Sequence, residues 1–235
     1  MWEDASGPTL MVWIKICGMT NRADALAAAE AGADAIGMLF APSTRRVSIE
    51  QGREIACALP PHVEKVGLFY DESASTIEEI ADDVGLTAVQ LHGDESPDFV
   101  AGLFRGDGRR SHVRVFKTIH VTHDVPPDVG PYLHDDIVDA FLLDTVVKDP
   151  VTGVVSRGGT GHTFDWFRNG ALVEQLAART RVIVAGGLSP VNVGDAVRIM
   201  HPWGVDVCSG VEREPGKKDL HKVREFVTAA RAATT

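Results

Sequence analysis

Cys17 and Asp144 are the side chains in this sequence best suited to moving protons. Cys17 ends the apolar run that starts at Val12 and is followed by Gly18 and a helix-like segment beginning near Thr20. A helix N-terminus favours a nearby thiolate, and a free thiol already supplies some base near neutral pH. The alternative for a lone cysteine is a small buried hydrophobe. Asp144 ends the run Phe141-Leu142-Leu143. There it either caps the next loop or, desolvated, keeps a proton that it can donate. Asp206 lies between Val205 and Val207, where a charge is costly unless it is paired or used. His92 is either a functional pocket residue or a satisfied core histidine, and the stretch His92-Gly93-Asp94-Glu95 has no partner at metal-ligand spacing, so no metal site is expected. Of the adjacent Arg45 and Arg46, at most one can face a pocket from an extended segment, where it could hold a carboxylate through two parallel bonds.

Glycines supply a second signal. Gly186-Gly187 and Ser209-Gly210 each follow a short apolar run. Backbone N–H groups without an intervening Cβ can approach a phosphate closely. Gly158-Gly159-Thr160-Gly161 is either a flexible loop or a further ligand contact.

These residues need a frame. Strand-like runs are expected at Val12–Cys17, Ala35–Phe40, Lys65–Tyr70, Ala88–His92, Val113–Ile119, Ala140–Asp144, Val182–Ala185 and Val205–Cys208. Helical patterns separate most of them. Thr20, Ser48, a Ser75–Glu78 capping box and Ser96 are the expected helix starts, and Pro190 is expected in the first turn of the helix that ends at Met200. The Pro-rich connection from Thr122 to Asp136 holds at best a weak helix. Several strands are continuous apolar runs, as parallel strands covered on both faces are. Eight such repeats predict an α/β protein, a single-domain (β/α)8 TIM barrel over 12–235, after an N-terminal extension over 1–11. Alternation along the strands turns Lys15, Cys17, Gln90, His92, Asp144, Asp206 and Cys208 inward, toward the C-terminal mouth where such barrels do chemistry. Cys57, on an amphipathic helix, is expected in the core.

Bulk properties narrow the partners. A formal net charge of −10 over 235 residues disfavours nucleic acid, and the basic runs at Arg45-Arg46, Arg105–Arg110 and Lys217-Lys218 lack an aromatic stacking pattern. Three scattered cysteines argue against a disulfide scaffold and for a reducing, cytoplasmic setting. No run approaches the roughly eighteen apolar residues of a membrane helix, and Met1 to Leu10 lacks the pattern of a signal peptide. A small anionic ligand is the expected partner, with the chain a monomer or a homodimer.

From about residue 13 to 230 the sequence resembles the phosphoribosylanthranilate isomerases of tryptophan biosynthesis. The resemblance rests on Lys15-Ile16-Cys17-Gly18-Met19-Thr20, the segment Phe40 to Ser48, Val89-Gln90-Leu91-His92-Gly93 and Leu142-Leu143-Asp144-Thr145. It continues through Gly158-Gly159-Thr160-Gly161 with Phe164-Asp165-Trp166, Ala185-Gly186-Gly187-Leu188, Gly204 to Glu212, and Pro215 to Asp219. The resemblance implies an Amadori rearrangement of N-(5-phosphoribosyl)anthranilate to 1-(2-carboxyphenylamino)-1-deoxyribulose 5-phosphate, without metal or redox cofactor. It assigns Asp144 as general acid, Cys17 as general base and Arg45 to the anthranilate carboxylate. Gly186, Gly187, Ser209 and Gly210 would hold the phosphate, with His92 and Asp206 at the pocket. Asp206, as a like charge, is expected to raise the pKa of Asp144. Cys208 stands where the family pattern has serine, and the stretches Arg105–Arg110 and Val146–Arg157, the latter a candidate lid, are longer than typical. The competing readings are another phosphate-binding barrel isomerase or epimerase, an indole-glycerol-phosphate synthase, whose Lys and Glu pattern is not found, and a non-catalytic barrel that binds a phosphate ligand.

Overall fold

A computed structural model describes residues 11–104, 112–121, 128–134, 137–148, 155–157 and 166–234. The first strands are β1 (Trp13–Ile16), β2 (Ala35–Leu39), β3 (Glu64–Phe69), β4 (Ala88–Leu91) and β5 (Arg114–Val121). They are followed by β6 (Ala140–Lys148), β7 (Val155–Arg157), β8 (Arg181–Val184) and β9 (Gly204–Val207). All but β7 run parallel, in the order β5-β4-β3-β2-β1-β9-β8-β6, and pairing of β5 with β6 closes the ring into the expected eight-stranded barrel. The helices α1 (Arg22–Glu30), α2 (Ile49–Ala58), α3 (Ala74–Val84), α4 (Pro97–Gly102), α5 (Trp166–Ala177), α6 (Val193–Met200) and α7 (Leu220–Ala232) connect the strands. Between β5 and β6 the described residues hold only a 3-10 turn, Gly130–Leu133, in keeping with the proline content of that connection.

Side-chain alternation divides the apolar residues into two cores. Ile14, Ile16, Val89, Leu91, Phe141, Leu143, Val205 and Val207 face the helices. Ala35, Val66, Ala88, Phe116, Ala140, Leu142, Ile183 and Ala185 fill the barrel interior. Trp13 stacks on Trp203 with ring centroids 4.9 Å apart and closes the N-terminal end of that interior. The opposite end carries the buried Asp144 and Asp206 carboxyl groups, where barrel topology places chemistry. A short antiparallel hairpin, β10 (Glu212–Glu214) and β11 (Lys217–Lys218), follows β9.

Several local expectations are corrected. The cap of α1 is Asn21, whose side chain accepts from Asp24 N, while the Thr20 hydroxyl donates to Gly216 O at 2.5 Å. The cap of α3 is Ser73, accepting from Thr76 N, so the helix starts before the anticipated capping box. Helix α6 starts at Val193, and Pro190 lies in the turn before it, because the Asn192 side chain ties that turn to Ser189 N and Gly187 O. Strand β6 continues past Asp144 to Lys148 because β7 returns antiparallel and pairs with it. Cys57 is exposed rather than core: the buried face of α2 is Gly52, Ile55 and Ala56. Ser48 and Ser96 cap α2 and α4 as expected. Most of the extension (1–10), residues 105–110 and 149–154, and the Gly158–Gly161 and Phe164-Asp165 motifs lie outside the described residues.

Candidate active site

The mouth of the barrel has two polar walls, each built by neighbouring strands. On one, Lys15 of β1 pairs in register with Asp206 of β9, and Cys17 and Cys208 continue the two strands one residue beyond the last paired positions, Ile16 and Val207. Lys15 Nζ donates to Asp206 Oδ1 at 2.9 Å, with the lysine side chain fully buried. Burial works against the ammonium, but the Asp206 carboxylate and the Cys17 sulfur outweigh it and hold the Lys15 pKa above its ordinary value. The Asp206 charge is thus matched at close range by Lys15.

The Cys17 thiol is lowered to about 7. The largest cause is a hydrogen bond from Cys208; burial opposes it, Lys15 and Lys218 assist, and Asp206 again opposes. Cys208, half-buried and hydrogen-bonded to that sulfur, is pushed well above the thiol range and keeps its proton. A base with a dedicated thiol donor therefore replaces the helix-dipole explanation, since α1 begins only at Arg22. Removal of the donor tests this: in Cys208→Ala the pH midpoint of Cys17 alkylation is expected to climb from about 7 toward the ordinary thiol range. Cys208→Ser, which keeps a donor, should stay close to the parent. Site-resolved mass spectrometry after iodoacetamide separates Cys17 from the exposed Cys57; equal midpoints in parent and Cys208→Ala would refute the donor role.

The second wall comes from β4, β5 and β6. Asp144 is buried, 6% exposed, and its Oδ2 lies 3.7 Å from His92 Nε2. The other ring nitrogen of His92 lies 3.2 Å from Gln90 Nε2 and 3.1 Å from Thr118 Oγ1. His120 donates from Nε2 to the His92 carbonyl at 3.0 Å, its ring edge-on to that of His92. His120 was not foreseen, because the fifth strand was expected to stop at Ile119; continuing the inward alternation Phe116, Thr118 by one more step reaches it.

Arg45 and Arg46 divide as expected, Arg45 lining the pocket and Arg46 exposed. Arg45 donates from Nε to Glu212 Oε1 at 2.8 Å and from Nη2 to Oε2 at 2.7 Å. Lys218 Nζ reaches the same carboxylate at 3.0 Å and the Cys208 carbonyl at 3.1 Å. Burial would raise the Glu212 carboxyl, but Arg45 and Lys218 hold it below its ordinary value. The hairpin thus orients Arg45, a role the sequence motif around Lys217-Lys218 did not reveal.

Two glycine turns complete the mouth. Gly186 and Gly187, after β8, have φ of 86° and 66°, a region that side chains rarely adopt. Gly210, after β9, packs so closely that a Cβ would sit 2.0 Å from the Leu188 carbonyl oxygen. Both walls and both turns enclose one cavity of about 440 Å³, which Cys17, Arg45, His92, Asp144, Asp206, Gly186, Gly187, Ser209 and Gly210 all line. That volume falls in the ordinary range for small-molecule pockets.

Fold and site together define a (β/α)8 barrel whose C-terminal mouth holds a thiol and a carboxyl group in one cavity. Comparison with known proteins specifies it further. The family model for N-(5'phosphoribosyl)anthranilate isomerase matches residues 14–229. The N-(5'-phosphoribosyl)anthranilate isomerase of Pelobacter propionicus is 43% identical over 222 residues, 94% of this chain and 96% of that protein. A crystal structure of the Thermotoga maritima enzyme covers 94% of this chain and 100% of its own, with a TM-score of 0.77 and 39% identity. Another, of phosphoribosyl anthranilate isomerase in complex with reduced 1-(o-carboxyphenylamino)-1-deoxyribulose 5-phosphate, has a TM-score of 0.76 at 36% identity, with 94% and 100% of the two chains covered. The chain belongs to the phosphoribosylanthranilate isomerase family.

Proposed function

We propose that the chain converts N-(5'-phosphoribosyl)anthranilate to 1-(2-carboxyphenylamino)-1-deoxyribulose 5-phosphate, with Asp144 as general acid and Cys17 as general base. The observation that carries this reading is a buried thiol lowered to about 7 in the same cavity as a buried carboxyl group. Asp144 protonates the ring oxygen as the C1–O bond breaks, and the anilino nitrogen lone pair forms the Schiff base. The Cys17 thiolate takes the proton from C2, and its bonding electrons move toward the imine to give an enolamine. Loss of the proton on the C2 oxygen and protonation at C1 give the ketone. Proton donors and acceptors balance, and no electrons leave the substrate.

The remaining residues serve binding. Arg45, oriented by Glu212, takes the anthranilate carboxylate. The turns at Gly186-Gly187 and Ser209-Gly210 take the phosphate on their backbone N–H groups. His92 and Asp206 shape the pocket, and Asp206 also keeps Lys15 charged beside the thiolate. Three free thiols support a cytoplasmic setting, and no helix among the described residues is long and apolar enough to cross a membrane.

The decisive experiment follows the anthranilate-type fluorescence of freshly generated phosphoribosylanthranilate. Its loss on adding wild-type protein is expected; a folded but inactive protein would redirect the search to sugar-phosphate isomerases. The phosphate cradle has its own test. Gly210→Ala forces the two turns apart, so KM should climb at least about tenfold, equivalent to losing about 1.4 kcal/mol of binding, and inorganic phosphate should inhibit more weakly. An unchanged KM would remove Gly210 from the phosphate site.

A further inference from the structure

Strands β4, β5 and β6 bring His92, His120 and Asp144 to one edge of the cavity, and a potential ligand atom from each lies within 4.8 Å of the other two. We propose that these three side chains form a site for a borderline divalent transition-metal ion such as Zn2+, and that an ion bound there inhibits the enzyme. The inhibitory half rests on the reading of Asp144 as the acid; the binding half does not.

Geometry favours a metal over a simple ion pair. His92 Nε2 and Asp144 Oδ2 are 3.7 Å apart, too long for a hydrogen bond. Two ligands of a tetrahedral ion held at about 2.0–2.1 Å stand roughly 3.4 Å apart, so a small inward adjustment completes the pair. The rings are also oriented by their other nitrogens, as metal-bound histidines are. His92 Nδ1 lies 3.1 Å from Thr118 Oγ1, to which it donates in the neutral tautomer whose Nε2 lone pair faces Asp144. His120 donates from Nε2 to a carbonyl, so in the neutral ring Nδ1 is the nitrogen that carries the lone pair. Two imidazoles and one carboxylate suit Zn2+ and its neighbours better than Mg2+ or Ca2+. Three protein ligands leave a fourth position, which would open on the cavity that His92 and Asp144 line. Sequence spacing gave no hint of this set, because its members come from three different strands.

An ion on the Asp144 carboxylate takes the place of the proton that the reaction must deliver. Substrate ring opening then has no donor. His120 is the member that can be altered without touching the proposed acid or base.

The test titrates chelator-stripped protein with Zn2+ against a chromophoric chelator. One tight equivalent is expected for the wild type, weakened at least about tenfold in His120→Ala and in the alternative variant His120→Gln. Co2+ as a probe should give visible bands of histidine and carboxylate coordination without a thiolate charge-transfer band. Turnover should be lost with Zn2+ and restored by chelator, while metal-free His120→Ala stays active and resists Zn2+. Absence of stoichiometric binding, undiminished binding in both His120 variants, or a thiolate band placing the ion on Cys17 and Cys208 would each overturn the site. Full turnover with one ion bound would overturn the inhibition. A metal-free wild type that binds Zn2+ but never converts phosphoribosylanthranilate would leave the site standing and sink the isomerase reading instead.

Discussion

Asp144→Asn is expected to lower kcat/KM for phosphoribosylanthranilate by about 10²- to 10⁴-fold, and Cys17→Ala by a similar factor, with the fold intact. Both side chains line space the pocket already provides, so neither replacement opens a large void in either apolar core. The two losses should not add: with acid and base acting on one sequence of proton transfers, the double variant should be little worse than the poorer single one. The variants also differ in character. Cys17→Ser keeps a hydroxyl but loses the low pKa, so it should recover little activity at neutral pH and somewhat more on raising pH. In the wild type, activity should increase with pH as Cys17 loses its proton around 7. Fluorescence-monitored kinetics across pH 5 to 9 check both points; retention of even a tenth of the activity in Asp144→Asn would exclude that residue as the general acid.

Asp206→Asn is expected to cost about 3–5 kcal/mol of stability, because it leaves the fully buried Lys15 ammonium without its counter-charge. For a domain of this size that is a fall in Tm on the order of 10 °C. The pair Lys15→Met with Asp206→Leu should restore most of the loss, since an apolar pair of similar volume removes both desolvation terms. Activity should not return with it, as the thiolate then loses the neighbouring cation. The sign of the pH dependence follows from the raised lysine pKa. A group bound more tightly in its protonated form contributes fully below its unfolded value, about 10.4, and fades only as pH climbs toward the higher folded one. The Asp206→Asn penalty should therefore be flat from pH 6 to 9. Denaturant melts at several pH values measure it, and a penalty below 1 kcal/mol would show that Lys15 finds another partner.

Much of the frame was legible because periodicity is local. Runs such as Phe141-Leu142-Leu143 announce a buried parallel strand from their own composition, and strict alternation then assigned Lys15, Cys17, His92, Asp144 and Asp206 to the interior. Element ends were less legible. Thr20, Ser75 and Pro190 all have the chemistry of helix starts, but competing side-chain bonds from Asn21, Ser73 and Asn192 set the observed boundaries. Cys57 shows the same limit: an amphipathic pattern identifies a face, and one position of rotation decides whether a small residue lies inside it. The least legible layer is pairing across the barrel. Nothing near Arg45 announces Glu212, 167 residues away, and nothing near His92 announces His120. Those contacts exist only after the ring closes.

The adjacency of β1 and β9 sets an order of events during synthesis. Cys17 is made well before Asp206, Cys208 and Lys218, which together with Lys15 set its acidity. Lys15 itself meets Asp206 across 191 residues. A nascent polypeptide therefore exposes an unremarkable thiol, mostly protonated near neutral pH, until those later residues have been made. The reactive sulfur comes into being only when the ring is shut, at the moment when the same closure buries it.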